Sequence, residues 1–291
     1  MNINLHFCRV NSIKRLIPNL FTAGNLVGGI LAIIFTLTGR VDIAPYCIFI
    51  SALFDFLDGF MARLLKVPSE IGKQLDSLAD MVTFGVAPGL IIFVLMGGLV
   101  WFDFEGRTYS FENIESSINN GNVSATVVPF SFLKFLPFIA FLIPVFALFR
   151  LAKFNLDTRQ SDAFIGLPTP AMTLFFAVLP ILFNSTYVGV LDASIHLSSW
   201  EVLTAKSLSS PYTLAILSVI FAILMVVELP LFALKFKHFK WSGNEIRYIF
   251  LTLSVVLLAT LFLWAIPLIV ILYVILSLIN TQIRKAKTDE I

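Results

Sequence analysis

Apolar runs of membrane-spanning length, separated by short polar breaks, dominate the chain. They occur near residues 17–38, 43–64, 74–99, 132–152, 167–187, 212–234, 246–264 and 266–283. Each is close to the roughly 20 apolar residues that cross a bilayer as a helix. The last two are separated only by a tight turn around Trp264 to Pro267. The pattern predicts an all-α, polytopic membrane protein with about eight transmembrane helices, six or seven being the alternatives. Residues 1–291 read as a single integral membrane domain, and 211–283 supply its last helices. The second and third runs each carry carboxylates near one end.

Composition agrees with lipid as the main solvent. The chain is 58% hydrophobic and 13% charged, against about 25% charged in a soluble domain. A net charge of +2 is too small to point to nucleic acid. The location of the basic residues says more. With eight alternating spans and a cytoplasmic N-terminus, sixteen of the 20 Lys and Arg fall in cytoplasmic segments. The other side keeps Arg40, Arg107, Lys134 and Lys206. This positive-inside bias predicts that both termini are cytoplasmic. The polar stretch 102–130, rich in turn formers, then reads as an extracytoplasmic loop. Cys8, Cys47 and the three histidines form no ligand-like spacing.

The residues that carry chemistry lie at the junction of the second and third runs. Asp55 and Asp58 are spaced i, i+3, while Asp76 and Asp80 are spaced i, i+4. Either spacing puts two side chains on one helix face. Pro68, Ser69 and Gly72 make the connection a turn, so two antiparallel helices can aim four carboxylates at one point. Four such groups repel one another and resist burial in a membrane. They are tolerated where cations neutralise them, and carboxylates without His or Cys suit hard ions such as Mg²⁺ or Mn²⁺. Two ions would clamp a pyrophosphate. Gly59 and Ala62 would let a nucleotide approach the backbone, with Arg63 and Ser69 in reach of phosphate. A structural or ion-conducting acidic cluster, as in a cation transporter, is the reading from a different class.

The full pattern is Asp55-x₂-Asp58-Gly59-x₂-Ala62-Arg63-x₈-Gly72-x₃-Asp76-x₃-Asp80. It resembles the signature of the CDP-alcohol phosphatidyltransferase family at every position. The resemblance implies metal ligation by Asp55, Asp58 and Asp76, with Asp80 as catalytic base and possible ligand. It also implies contacts from Gly59, Arg63 and Ser69 to the CDP part of a lipid donor, and a homodimer.

Three further stretches are similar to the membrane-embedded phosphatidylserine synthases of that family, so that the likeness covers roughly 12–185. They are Pro18-Asn19 through Thr22, Asn25 and Gly28; Asp76 through Pro88; and Phe149-Arg150 through Lys153 and Asn155, followed by Phe164 to Pro170. The implied reaction is transfer of a phosphatidyl group from CDP-diacylglycerol to L-serine at the cytoplasmic side of the cell membrane. Glycerol 3-phosphate and inositol phosphate are the alternative acceptors. Asn19, Thr22 and Asn25 would face the cytidine or its ribose. Arg150 and Lys153 would bind the serine carboxylate, with a hydrogen bond from Asn155. The bland reading of Arg150 and Lys153 is interfacial anchoring. Gly24 and Gly28 read as a helix-packing step.

Overall fold

The computed structural model describes residues 2–97, 132–156, 163–191, 198–232, 241 and 244–289. The expected loop at 102–130 lies outside the described residues, as do His196 and His238. The described chain is mostly helical. The helices are α1 (Asn2–Leu37), α2 (Ala44–Leu64), α3 (Glu70–Asp80), α4 (Ala87–Leu95), α5 (Leu142–Leu156), α6 (Thr169–Leu191), α7 (Ser199–Ser209), α8 (Pro211–Val226), α9 (Glu245–Leu261) and α10 (Ala265–Asp289). A π-helical stretch, Met81–Val86, joins α3 to α4, and a 3₁₀ stretch, Phe132–Phe141, leads into α5. One small element departs from the all-α expectation. Strand β1 (Ala163–Ile165) pairs antiparallel with β2 (Pro230–Phe232), Phe164 opposite Leu231.

Five helical stretches are long and apolar enough to cross a membrane: Leu16–Leu37, Glu70–Leu95, Phe135–Leu156, Thr169–Val188 and Glu245–Gln282. The pair α7 and α8, bent by 74°, would make a sixth. The expected second span corresponds to α2, which lies outside this set. The chain is thus a multi-pass membrane protein, with five or six candidate spans by length and composition among the described residues.

Two boundaries differ from the expectation for physical reasons. The sixth run was expected to stay helical to 234, but α8 ends at Val226 and the chain continues into β2. Pro230 has no amide proton to donate and disfavours helix in the residue before it. The stretch 245–282 folds back on itself. The rings of Phe250 and Tyr273 lie 5.7 Å apart, whereas an unbroken helix would separate them by about 35 Å. The reversal sits at Phe262–Trp264, with Phe262 at φ 49°. It comes slightly earlier than Trp264 to Pro267, because Pro267 is accommodated in the first turn of α10.

The packing that matters for function surrounds α1. Gly28 faces Ser51 on α2, and a Cβ there would collide with the serine Oγ. Gly24 faces the Phe54 ring, with 3.1 Å left for a Cβ. Gly29 faces Thr83, whose Cα would lie 3.0 Å from an added Cβ. These glycines let α1 lie close against both α2 and the π stretch, as the small-residue spacing predicted for Gly24 and Gly28. The core continues through Ile48, Ile91, Phe93, Ile143, Phe176 and Leu179, all essentially inaccessible.

Candidate active site

The site begins with the way α2 ends. The Val67 amide donates to the Ala62 carbonyl at 3.0 Å, and the Lys66 amide donates to the Arg63 carbonyl at 3.2 Å. This is the paired bonding that closes a helix through a left-handed residue, and Lys66 takes that conformation at φ 56°. Val67 is buried beneath the turn. Ser69 then starts α3: its backbone is extended and its Oγ accepts from the Gly72 amide at 3.0 Å. Gly72 is needed here, since a Cβ would come within 2.9 Å of that Oγ. The chain therefore reverses in five residues, from Leu65 to Ser69, and sets α3 beside α2.

That reversal brings three carboxylates together. Oxygen atoms of Asp55, Asp76 and Asp80 all lie within 4.8 Å of one another. Asp58, buried in α2, stands outside this group. Its Oδ2 accepts from Thr22 Oγ1 at 2.6 Å. Thr22 also lies 3.2 Å from its own helix's Pro18 carbonyl, but its single proton favours the shorter contact to the charged acceptor. Asn25, fully buried on α1, donates through Nδ2 to Asp80 Oδ1 at 3.1 Å. Its backbone carbonyl accepts from Thr83 Oγ1 at 3.1 Å, which ties α1 to the π stretch directly after Asp80.

The donor set can be tested against a cation. Asp76 Oδ1 is buried without a hydrogen-bond partner. Among the described residues no ion pair involves the acidic group; Arg40–Asp42 and Lys153–Glu228 form elsewhere. A buried carboxylate oxygen without a proton donor is costly. A hard divalent cation among Asp55, Asp76 and Asp80 would satisfy it with the ligand type such ions prefer.

Beside the acidic group lies a cavity of about 200 Å³. Asn19, Thr22, Asp58, Gly59, Ser69 and Asp76 line it, together with Lys73. Gly59 leaves open space where a side chain would stand, with only an Arg63 nitrogen 4.0 Å from an added Cβ. The expected nucleotide contacts Asn19, Thr22, Gly59 and Ser69 thus share one wall-to-wall space. Ser69 Oγ accepts a hydrogen bond there and keeps its own proton to donate. Asn25 is directed at Asp80 instead, and the exposed Arg63 is not part of the lining.

The three residues expected to hold the acceptor are on α5 but in different surroundings. Arg150 is buried, 8% exposed, and close enough to Asp80 for their charges to interact. Its Nη1 donates to Thr169 Oγ1 at 3.3 Å, its Cζ lies 5.3 Å above the Phe154 ring, and its Nε has no partner. Lys153 is half-exposed and pairs with Glu228 at 2.6 Å. Asn155 donates to Ser77 Oγ at 2.8 Å and accepts from Lys73 Nζ at 3.1 Å through its backbone carbonyl. Sequence reading missed Lys73, which entered only as one of the sixteen basic residues of the expected cytoplasmic segments. Its place three residues before Asp76, on the same helix face, was the available signal.

Residues 15–104 match the family described as CDP-alcohol phosphatidyltransferase. A CDP-diacylglycerol–serine O-phosphatidyltransferase of Helicobacter pylori strain J99 is 34% identical over 174 residues, 59% of this chain and 60% of that protein. One of Bacillus subtilis strain 168 is 29% identical over 178 residues, covering 60% of this chain and 80% of the relative. An archaetidylserine synthase of Methanothermobacter thermautotrophicus is 25% identical over 197 residues, 67% of this chain and 69% of the relative. The match spans about 60% of the length of the Helicobacter protein.

Proposed function

We propose that this chain, a member of the CDP-alcohol phosphatidyltransferase family through residues 15–104, transfers a phosphatidyl group from CDP-diacylglycerol to L-serine, releasing CMP. The observation that carries this reading is the meeting of Asp55, Asp76 and Asp80 beside a cavity large enough for part of a nucleotide. The names of the relatives support serine as acceptor.

Asp55, Asp58, Asp76 and Asp80 would hold Mg²⁺ or Mn²⁺, two ions in our reading. When bound, the metal supplies charge neutralisation for the pyrophosphate and for the departing CMP. The remaining work falls to the chain. Asn19, Thr22, Gly59 and Ser69 receive the CDP head, while the acyl chains stay in the bilayer. Thr22 holds Asp58 in place. Asp80 takes the proton of the serine hydroxyl, whose oxygen attacks the lipid-side phosphorus. Asn25 fixes the Asp80 carboxylate that does so. Arg150, with a free Nε near Asp80, receives the serine carboxylate, assisted by Lys153 and Asn155.

We further read eight membrane passages with both termini and the site on the cytoplasmic side, a catalytic core over 12–185, the last helices over 211–283 as an addition to it, and a homodimer. The deciding experiment is an acceptor panel on the purified protein in lipid nanodiscs with labelled CDP-diacylglycerol. CMP release with serine, and not with glycerol 3-phosphate or inositol phosphate, is the expected result. Release with another acceptor alone would replace serine, and cation flux without CMP release would overturn the enzyme reading.

A further inference from the structure

Lys73 is the one cation among the described residues that line the cavity. Asp58 and Asp76 line the same space, so the walls carry more negative than positive charge. A diphosphate entering it needs positive charge beyond what the carboxylates themselves absorb from a metal. Lys73 is placed to give it. Its ammonium has three protons to donate, and the structure shows one bond, to the neutral Asn155 carbonyl at 3.1 Å. Among the described residues it forms no ion pair. The side chain is exposed and flexible, and a phosphate oxygen is a stronger partner for an ammonium than a carbonyl is. Lys73 and Asp76 are three residues apart on α3, so a ligand held at Asp76 lies along the same helix face.

We propose that Lys73 is a binding residue for the diphosphate of the nucleotide-activated donor, its Nζ passing from the Asn155 carbonyl to a phosphate oxygen when the cavity fills. The proposal rests on the cavity being the donor site. It differs from a tether in which Lys73 only ties α3 to the end of α5. The two roles make different demands: a tether needs a hydrogen-bond donor, whereas the diphosphate needs a charge.

The test compares Lys73→Gln and Lys73→Arg with the unaltered protein in nanodiscs, measuring CDP-diacylglycerol affinity by titration and KM for donor and serine separately. Glutamine keeps an N–H donor and removes the charge. We expect K73Q to weaken donor affinity about ten-fold, the scale of one charge-assisted hydrogen bond at a partly exposed site. K73R should stay within about two-fold of the original, because it keeps the charge, and KM for serine should hold in both. Donor affinity unchanged in K73Q, or lost equally in K73Q and K73R, overturns the proposal. So does a rise confined to the serine KM, which is the mark of the tether. Should K73Q fail to fold, Lys73→Met, which keeps the side-chain length without the charge, takes its place, and unchanged donor affinity in a folded K73M overturns the proposal. An unaltered protein that binds CDP-diacylglycerol but releases no CMP with serine would sink the serine reading and leave this inference standing.

Discussion

One buried hydrogen bond, from Asn25, sets Asp80 apart within the acidic group. Asp80 shares its group with two other carboxylates, yet it alone receives the Asn25 amide, at 3.1 Å. A general base must keep one oxygen aimed at its proton, and fixing Oδ1 leaves Oδ2 to do so. Asp80→Asn is expected to lower kcat by about 10²- to 10⁴-fold, the usual contribution of a positioned base, while CDP-diacylglycerol still binds. Asn25→Ala should lower kcat by about ten-fold, the scale of a hydrogen bond to a charged group, with donor KM little changed. Stopped assays with saturating serine, paired with a donor-binding titration, check both; full turnover in D80N would remove Asp80 from the mechanism. Sequence spacing made the four aspartates legible, because i, i+3 and i, i+4 pairs define helix faces without any tertiary knowledge. The partners Thr22 and Asn25 were legible only as polar residues near the site. Asn25 and Asp80 are 55 positions apart, and which atoms meet depends on how α1 settles against α3.

At the scale of elements, that settling is governed by glycine. Gly29 allows α1 to approach Thr83, and Thr83 donates to the Asn25 carbonyl one turn earlier on α1. Pro88, four residues after Phe84, has no amide proton for the Phe84 carbonyl, and Thr173 Oγ1 lies within hydrogen-bond reach of that carbonyl at 2.8 Å. A π turn is a common device at functional sites, and here it follows Asp80 directly. Gly29→Val would force α1 away from Thr83. It is expected to cost about 1–3 kcal/mol, the usual range for overpacking, and to lower kcat, because Asn25 moves with α1. A thermal-unfolding series in detergent, read beside kcat, tests this; a G29V protein with unchanged stability would show that α1 tolerates displacement. The apolar runs of the sequence located most of these helices, but not the π stretch or the β1–β2 pair. Both are tied to segments distant in sequence, Phe84 to Thr173 and Ala163 to Phe232.

For the molecule as a whole, metal dependence and orientation are the two expectations that link the site to its membrane. Chelator should abolish CMP release, and added Mg²⁺ or Mn²⁺ should restore it; activity in chelator would remove the ions from the acidic group. Orientation follows from where the site sits on its helices. Leu16–Leu37 has 22 residues, about 33 Å of helix, enough to cross a hydrocarbon core of about 30 Å. Thr22 and Asn25 lie in its first half, so the acidic group is within about 14 Å of the end at Leu16. The α2–α3 turn, with Arg63, Lys66 and Lys73, is at that same end. On the proposed orientation, which rests on the positive-inside bias, this end is cytoplasmic, the side that supplies a water-soluble amino acid. Replacing both natural cysteines, Cys8 and Cys47, and then introducing Thr38→Cys or Glu70→Cys gives probes at opposite ends of the first helices. An impermeant thiol reagent should label T38C in intact cells and E70C only after permeabilisation. The reverse pattern would place the site on the outer face, where serine, CDP-lipid and a released CMP would have to meet outside the cytoplasm.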